Sequence, residues 1–300
     1  MRLPRLSAPA FRRLSVLVAV LLGLIVVSGA AVRLTSSGLG CPTWPRCTAT
    51  SLVAPPTYHA WVEFGNRIVT SVVGVVVGIA AVGSLLRVPR RRDLVWLSWA
   101  LIGGFVGQAV VGGLSVLYKL SPGWVMAHFL LSMLLVWDGL VLVHRAHPDW
   151  QPRRPDAPRE LVLLGRVLVA VAGAVLFLGT VTTGTGPHAG SGGHVKRLPF
   201  ALERVTQLHA DSALLLTGLV IATLFAVRLA GASAVLRQRA NWLAYAVLAQ
   251  VAIGYTQYFL NLPPGVVELH VAGATVLWSA TLWLQLGFTA PATRSGLRSP

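Results

Sequence analysis

Runs of about twenty apolar residues, each long enough as a helix to cross a hydrocarbon core of about 30 Å, recur along almost the whole chain. Eight stand out, at residues 14–32, 68–86, 94–117, 124–143, 161–182, 205–227, 242–260 and 266–286. Composition points the same way: 55% of the 300 residues are apolar and 11% are charged, against about 25% charged in an ordinary soluble domain. The first run reads as a retained span, since 19 apolar residues exceed a signal-peptide core and no small-x-small cleavage site follows. An all-α integral membrane protein of eight transmembrane helices is the expected class.

The net charge of +16 is a topology signal, because its distribution alternates. Arg2, Arg5, Arg12 and Arg13 precede the first run, and Arg87, Arg90, Arg91 and Arg92 follow the second. Arg145, Arg153, Arg154 and Arg159 follow the fourth, Arg228, Arg237 and Arg239 the sixth, and Arg294 and Arg298 the eighth. The other connections carry few cations, chiefly Arg33, Arg46, Lys119, Lys196 and Arg197. Arginine enrichment on alternate connections places both termini in the cytoplasm. Membrane phospholipid is the expected partner of this charge, and nucleic acid is not.

An internal repeat narrows the architecture further. Residues 108–128, QAVVGGLSVLYKLSPGWVMAH, match residues 250–270, QVAIGYTQYFLNLPPGVVELH, without a gap. Gln108 meets Gln250, Gly112 meets Gly254, Pro122-Gly123 meets Pro264-Gly265 and His128 meets His270. Each copy reads as a helical hairpin closed by a Pro-Gly turn, with a histidine near the same end. His209 follows Asn66 at nearly the same offset, so Asn66, His128, His209 and His270 all fall near the outer end of an even-numbered span. Two pseudo-symmetric four-helix bundles follow, related as parallel repeats because four crossings are an even number. Residues 1–143 form the first half, 144–160 a cytoplasmic linker rich in proline and arginine, and 161–300 the second half.

Two imidazoles at one depth, on facing helices of a four-helix bundle, suit axial ligation of a haem. Zinc needs three or four ligands, and neither a CxxCH attachment motif nor a nucleotide-binding glycine loop occurs. Any cofactor is then a non-covalent porphyrin; a lone histidine satisfied by an interhelical hydrogen bond is the blander reading. Cys41 and Cys47, the only two cysteines, lie in the first outer connection, where a disulfide is expected and two free thiols are the alternative. Whether such a bond is a staple or redox-active stays open. Glu63, Asn66 and Arg67 share a helical face at the outer edge of the second span, where Glu63 and Arg67 form either a surface ion pair or part of a site. The glycine-rich connection after the fifth run reads as flexible, with His188 and His194 solvated or loosely structural.

The stretches RLTSSGLGCPTWPRC, Glu63 with Arg67, VTTGTGPHAG, QLHAD and the two hairpins together resemble the haem A synthase family over residues 29–283. That resemblance implies a second half holding haem b between His209 and His270. It also implies a first half binding the substrate, haem O, with His128 as a ligand and Glu63 as the catalytically implicated carboxylate. The implied reaction converts one porphyrin methyl to a formyl group by two successive hydroxylations, giving haem A for cytochrome oxidase. Arg67 and Arg204 then serve as partners of haem propionates or as interface anchors. Haem O synthase and oxidase assembly factors are further expected partners, with an electron acceptor and an oligomeric state the sequence does not identify. The arginine-rich, lysine-poor composition suggests a high-GC, actinobacterial origin and a plasma-membrane location. The family's common pattern has a histidine where Asn66 stands, leaving His128 as the single strong ligand unless His59 folds back.

Two other readings compete: a di-haem electron-transfer subunit, which keeps the haem without the oxidation, and a small transporter, which also uses parallel repeats.

Overall fold

The computed structural model describes residues 5–148, 150 and 157–288. Arg2, Arg153, Arg154, Arg294 and Arg298, and part of the expected 144–160 linker, lie outside these residues. The described chain is all-helical apart from one two-residue parallel pairing of β1 (Leu6–Ser7) with β2 (Arg87–Val88). Eight helices follow one another: α1 (Ala8–Leu34), α2 (Tyr58–Leu86), α3 (Arg92–Leu117), α4 (Pro122–Arg145), α5 (Arg159–Thr185), α6 (Leu202–Leu229), α7 (Ala234–Phe259) and α8 (Pro264–Gly287). They run from 24 to 29 residues, about 36 to 44 Å, so each apolar run extends into polar flanks at both ends. Seven are long and apolar enough to cross a membrane, and the chain is a multi-pass membrane protein. The exception is α7, which has the length but carries Arg237, Arg239, Asn241, Gln250 and Gln257 among its apolar residues.

Both hairpins turn by the same device, and it is not the Pro-Gly pair. Pro122 and Pro264 are the first residues of α4 and α8, where the missing N–H has no intrahelical partner to lose. The reversal is made one step earlier by Lys119 and Leu120 (φ 53° and 56°) and by Asn261 and Leu262 (φ 59° and 62°). Leu120 N–H donates to Ser115 O at 2.7 Å and Leu262 N–H to Gln257 O at 2.8 Å, closing the ends of α3 and α7. Non-glycine residues occupy left-handed positions here, which the sequence does not announce.

Sequential helices pack as antiparallel neighbours, and in the middle of the molecule α1 and α5 each pack against both α4 and α8, which also meet each other. A single large apolar core fills that centre, from Phe11, Val18 and Leu22 of α1 to Leu282 and Leu284 of α8. Where α4 meets α8, Trp278 is buried and its Nε1 donates to Met133 O at 3.0 Å. A smaller cluster of Cys41, Cys47, Ala54 and Ala60 packs beneath the connection between α1 and α2.

Candidate functional site

The connection between α1 and α2 is closed on itself by a disulfide and fastened to α2 by hydrogen bonds with Glu63 and Arg67. Cys41 and Cys47 form a disulfide, S–S 2.04 Å, with both residues fully buried. Glu63, 5% exposed, accepts from Cys41 N–H through Oε2 at 2.8 Å and from Arg67 Nη2 through Oε1 at 2.6 Å. Arg67 also donates to the carbonyls of Cys41, Thr43 and Arg46 at 3.1–3.2 Å. Of the two readings left open for Glu63 and Arg67, the exposed surface pair is excluded, since Glu63 is buried and Arg67 partly so. A desolvated carboxylate needs both an opposite charge and hydrogen-bond donors, and Glu63 has each. Arg67 is committed to this connection through both of its terminal nitrogens, and Arg204 is exposed on the first turn of α6.

The same connection reaches the first hairpin. The indole of Trp44 lies so close to Gly113 of α3 that a methyl group there would overlap it. The neighbouring Gly112 is where the His128 ring rests, with a position for Cβ only 2.8 Å from His128 Cε1. Gln108 holds the hairpin at this level, donating through Nε2 to His128 O at 2.9 Å and to Ser132 Oγ at 2.5 Å. On α2, the Asn66 Oδ1 accepts from Ser28 Oγ of α1 at 2.8 Å. His59 is drawn to the outer edge, where its Nδ1 bonds Ser37 Oγ at 3.0 Å and its ring meets Tyr58. Chain continuity through α2 keeps His59 apart from Asn66, as a helix rise of about 10 Å over seven residues requires.

The second hairpin repeats the arrangement. Gln250 Nε2 donates to His270 O at 2.9 Å, and the His270 ring faces Gly254, with a Cβ position 3.4 Å from its Cε1. His209 of α6 rests against Gly179 of α5, the corresponding distance being 3.1 Å. His209 and His270 face each other with ring centres 6.3 Å apart and planes at 70°. An imidazole nitrogen lies about 1.1 Å from its ring centre and a metal–imidazole bond is about 2.0–2.1 Å, so two rings flanking one metal atom have centres about 6.2–6.4 Å apart. The pair therefore fits axial ligation of a single iron. No ring pair of this kind includes His128 among the described residues.

His128, His209 and His270 share a further property: the Nδ1 of each is buried on the side of the ring that faces its glycine, 3.2, 3.6 and 3.8 Å from the Cβ position there, beside the backbone of Gln108 for His128 and of Val175 for His209. Asn66, His128, His209 and His270 all lie within the first nine residues of α2, α4, α6 and α8. Three features had gone unread in the sequence. The glycines facing the histidines were visible only as a repeat, Gly112 with Gly254. Glu268, two residues before His270, buries both carboxylate oxygens without a partner among the described residues. The glycine-rich connection after α5 is not loose: Gly38 N–H donates to Gly190 O at 2.8 Å, and His188 Nε2 bonds Leu262 O at 2.9 Å.

The sequence profile of a family described as cytochrome oxidase assembly protein matches residues 12–60 and 54–282. Among curated relatives, the chain is 34% identical over 113 residues to the heme A synthase of Geobacillus kaustophilus, covering 37% of this chain and 35% of that protein. It is 28% identical over 148 residues to the heme A synthase of Shouchella clausii, covering 49% of each. The chain thus aligns with about a third to a half of the length of these relatives.

Proposed function

Because this chain belongs to the COX15-CtaA family of cytochrome oxidase assembly proteins, we propose that it is a membrane oxidoreductase making haem A from haem O. In this reading residues 1–143 and 161–300 are two pseudo-symmetric four-helix halves joined by the 144–160 linker, and α7 is the eighth span. Both termini face the cytoplasm and the disulfide connection faces outward, in a bacterial plasma membrane. The identical Gln-to-His carbonyl bonds at 2.9 Å in the two hairpins support the duplication.

The observation that carries the functional reading is the asymmetry between the halves. His209 and His270 stand at 6.3 Å, a spacing that suits haem b, whereas His128 has no ring partner of this kind among the described residues, and the position that the repeat matches to His209 is an amide, Asn66, held by Ser28. A pair of imidazoles on opposed helices retains a permanent cofactor; a single histidine suits a porphyrin that must arrive and leave. When bound, haem b supplies one-electron transfer. The chain's own residues do the rest. His128 holds the haem O porphyrin against α3. Trp44 and the disulfide connection cover that end of α3 and exclude water. Glu63, at Oε1 or Oε2, takes the proton released when a methyl C–H bond is broken, and Arg67 offsets the charge that develops. Each of two hydroxylations of one methyl carbon replaces a hydrogen by a hydroxyl group from water, releasing two protons and passing two electrons to the electron acceptor, and loss of water from the resulting diol leaves the formyl group. The electron acceptor, haem O synthase and oxidase assembly factors complete the proposed partners.

Haem extracted from cells with and without this gene tests the reading. Loss of haem A with accumulation of haem O is expected on deletion; an unchanged haem profile would overturn it. A di-haem electron-transfer subunit is disfavoured because no second imidazole pairs with His128 among the described residues, whereas His209 pairs with His270.

A further inference from the structure

Two arginines meet at the outer end of α5 with no acid beside them. Arg33, at the end of α1, donates through Nη2 to Thr183 O at 3.1 Å and through Nε to His188 O at 2.9 Å. Arg197, from the connection between α5 and α6, donates to the same Thr183 carbonyl at 2.5 Å and also to Gly186 O. Its Nε is buried without a partner among the described residues. Neither guanidinium takes part in an ion pair among those residues, where the carboxylates in ion pairs are Glu63 and Asp93. Burial pulls the Arg197 pKa below its ordinary value.

Capping of α5 explains part of this arrangement, since the last carbonyls of a helix lack intrahelical donors and attract cations. It does not explain all of it. A helix C-terminus carries about half a negative charge, and two full positive charges share this one. Partly buried like charges in contact need an anion.

Position indicates which anion. Thr183 lies four residues beyond Gly179 on the same face of α5, about 6 Å outward, and Gly179 is the residue against which the His209 ring rests. A porphyrin centred between His209 and His270 takes its axial ligands from helices on either side, so its plane runs along those helices. Its propionate edge then faces either inward or outward. Inward along α6 lie Leu216 and Val220, both buried in the apolar core. Outward, one turn away, lie Arg33 and Arg197. We infer that Arg33 and Arg197 form a clamp for the propionate carboxylates of the porphyrin held by His209 and His270. The clamp takes the role that the sequence offered to Arg67 and Arg204, and it joins the end of α1 to the second half of the chain. It rests on the assignment of His209 and His270 as axial ligands.

The test uses full-length protein purified in detergent from a haem-starved host and titrated with protohaem or with protohaem dimethyl ester, whose propionates cannot ionise. Wild type should bind the acid about tenfold or more tightly than the ester, as expected for charge-assisted bonds at a partly buried site. R33Q and R197Q should each lower affinity for the acid towards that for the ester and leave ester binding unchanged. R33K and R197K, which keep the charge but not the fork, should retain part of the preference. Equal binding of acid and ester by wild type overturns the clamp, because a site serving a free anion or a lipid headgroup is indifferent to esterification. Variants that keep the full preference, or that lose both porphyrins alike, also overturn it. Absence of a low-spin spectrum that depends on His209 and His270 removes the axial-ligand reading and the clamp with it.

Discussion

Gly179→Ala should loosen the haem held by His209 and His270, whereas Gly254→Ala should leave it nearly unchanged. A Cβ at residue 179 would stand 3.1 Å from His209 Cε1, and one at residue 254 would stand 3.4 Å from His270 Cε1. Carbon–carbon contacts are most favourable at about 3.5–4.0 Å, so the first ring must retreat by about 0.4 Å and the second by about 0.1 Å. A free imidazole at the end of two torsions could make either move. An axial ligand is fixed by its bond to iron and by its own helix, so retreat means tilting or stretching that bond. Overpacking of this kind costs about 1–3 kcal/mol, which corresponds to a roughly 5- to 150-fold faster loss of haem from Gly179→Ala. Both substitutions gain the same helix propensity, about 1 kcal/mol in favour of alanine, so comparing them cancels that effect. The assay is the rate of haem transfer from each purified variant to excess apoglobin, with the low-spin absorption recorded alongside. A Gly254→Ala variant that loses haem as fast as Gly179→Ala, or faster, would refute the reasoning.

Glu63→Gln removes the 2.6 Å pair with Arg67 and should abolish haem A formation while the His209–His270 haem spectrum persists; loss of both together would mark Glu63 as structural. Asn66→His breaks the bond to Ser28 and should convert porphyrin bound at His128 to a six-coordinate, low-spin form by electron paramagnetic resonance. Unmodified protein that already shows two bis-histidine haems would contradict that expectation. Cys41 and Cys47 should resist thiol reagents until a reductant is added, and full labelling beforehand would count against the bond in the isolated protein. Reporter fusions at Arg91 and Gly192 should report opposite sides of the membrane, and a shared side would end the proposed orientation.

Most of the helices were legible because a long apolar run in a bilayer has few solutions: its backbone groups must be satisfied within the segment. α7 was read from its apolar run at 242–260 like the others, yet over Ala234–Phe259 its Arg237, Arg239, Asn241, Gln250 and Gln257 make it the least apolar helix. The hairpin turns were misread for a physical reason. Pro-Gly looks like a turn, yet proline is equally at home at a helix start, and the left-handed Lys119, Leu120, Asn261 and Leu262 carry no glycine signal. Glu63 stood out as a carboxylate at a membrane edge, but its bond to Cys41 N–H joins residues 22 apart and depends on how the connection folds back.

The limit of the repeat as a guide follows from what a repeat encodes. It displays what the two halves share: the glutamine at the histidine carbonyl, the glycine against the ring, the prolines that start α4 and α8. It is silent where the halves differ, and the proposed chemistry lies in those differences. Asn66 accepts a hydrogen bond from Ser28, whereas His209 rests against Gly179. The disulfide connection, with Glu63 and Trp44, adorns only the first half, and the Arg33–Arg197 pair links that half to the second. A duplicated bundle with two equal sites would hold two equal haems. On the proposed reading, having one imidazole fewer and a covering connection suits the first half to a porphyrin that is transformed and released.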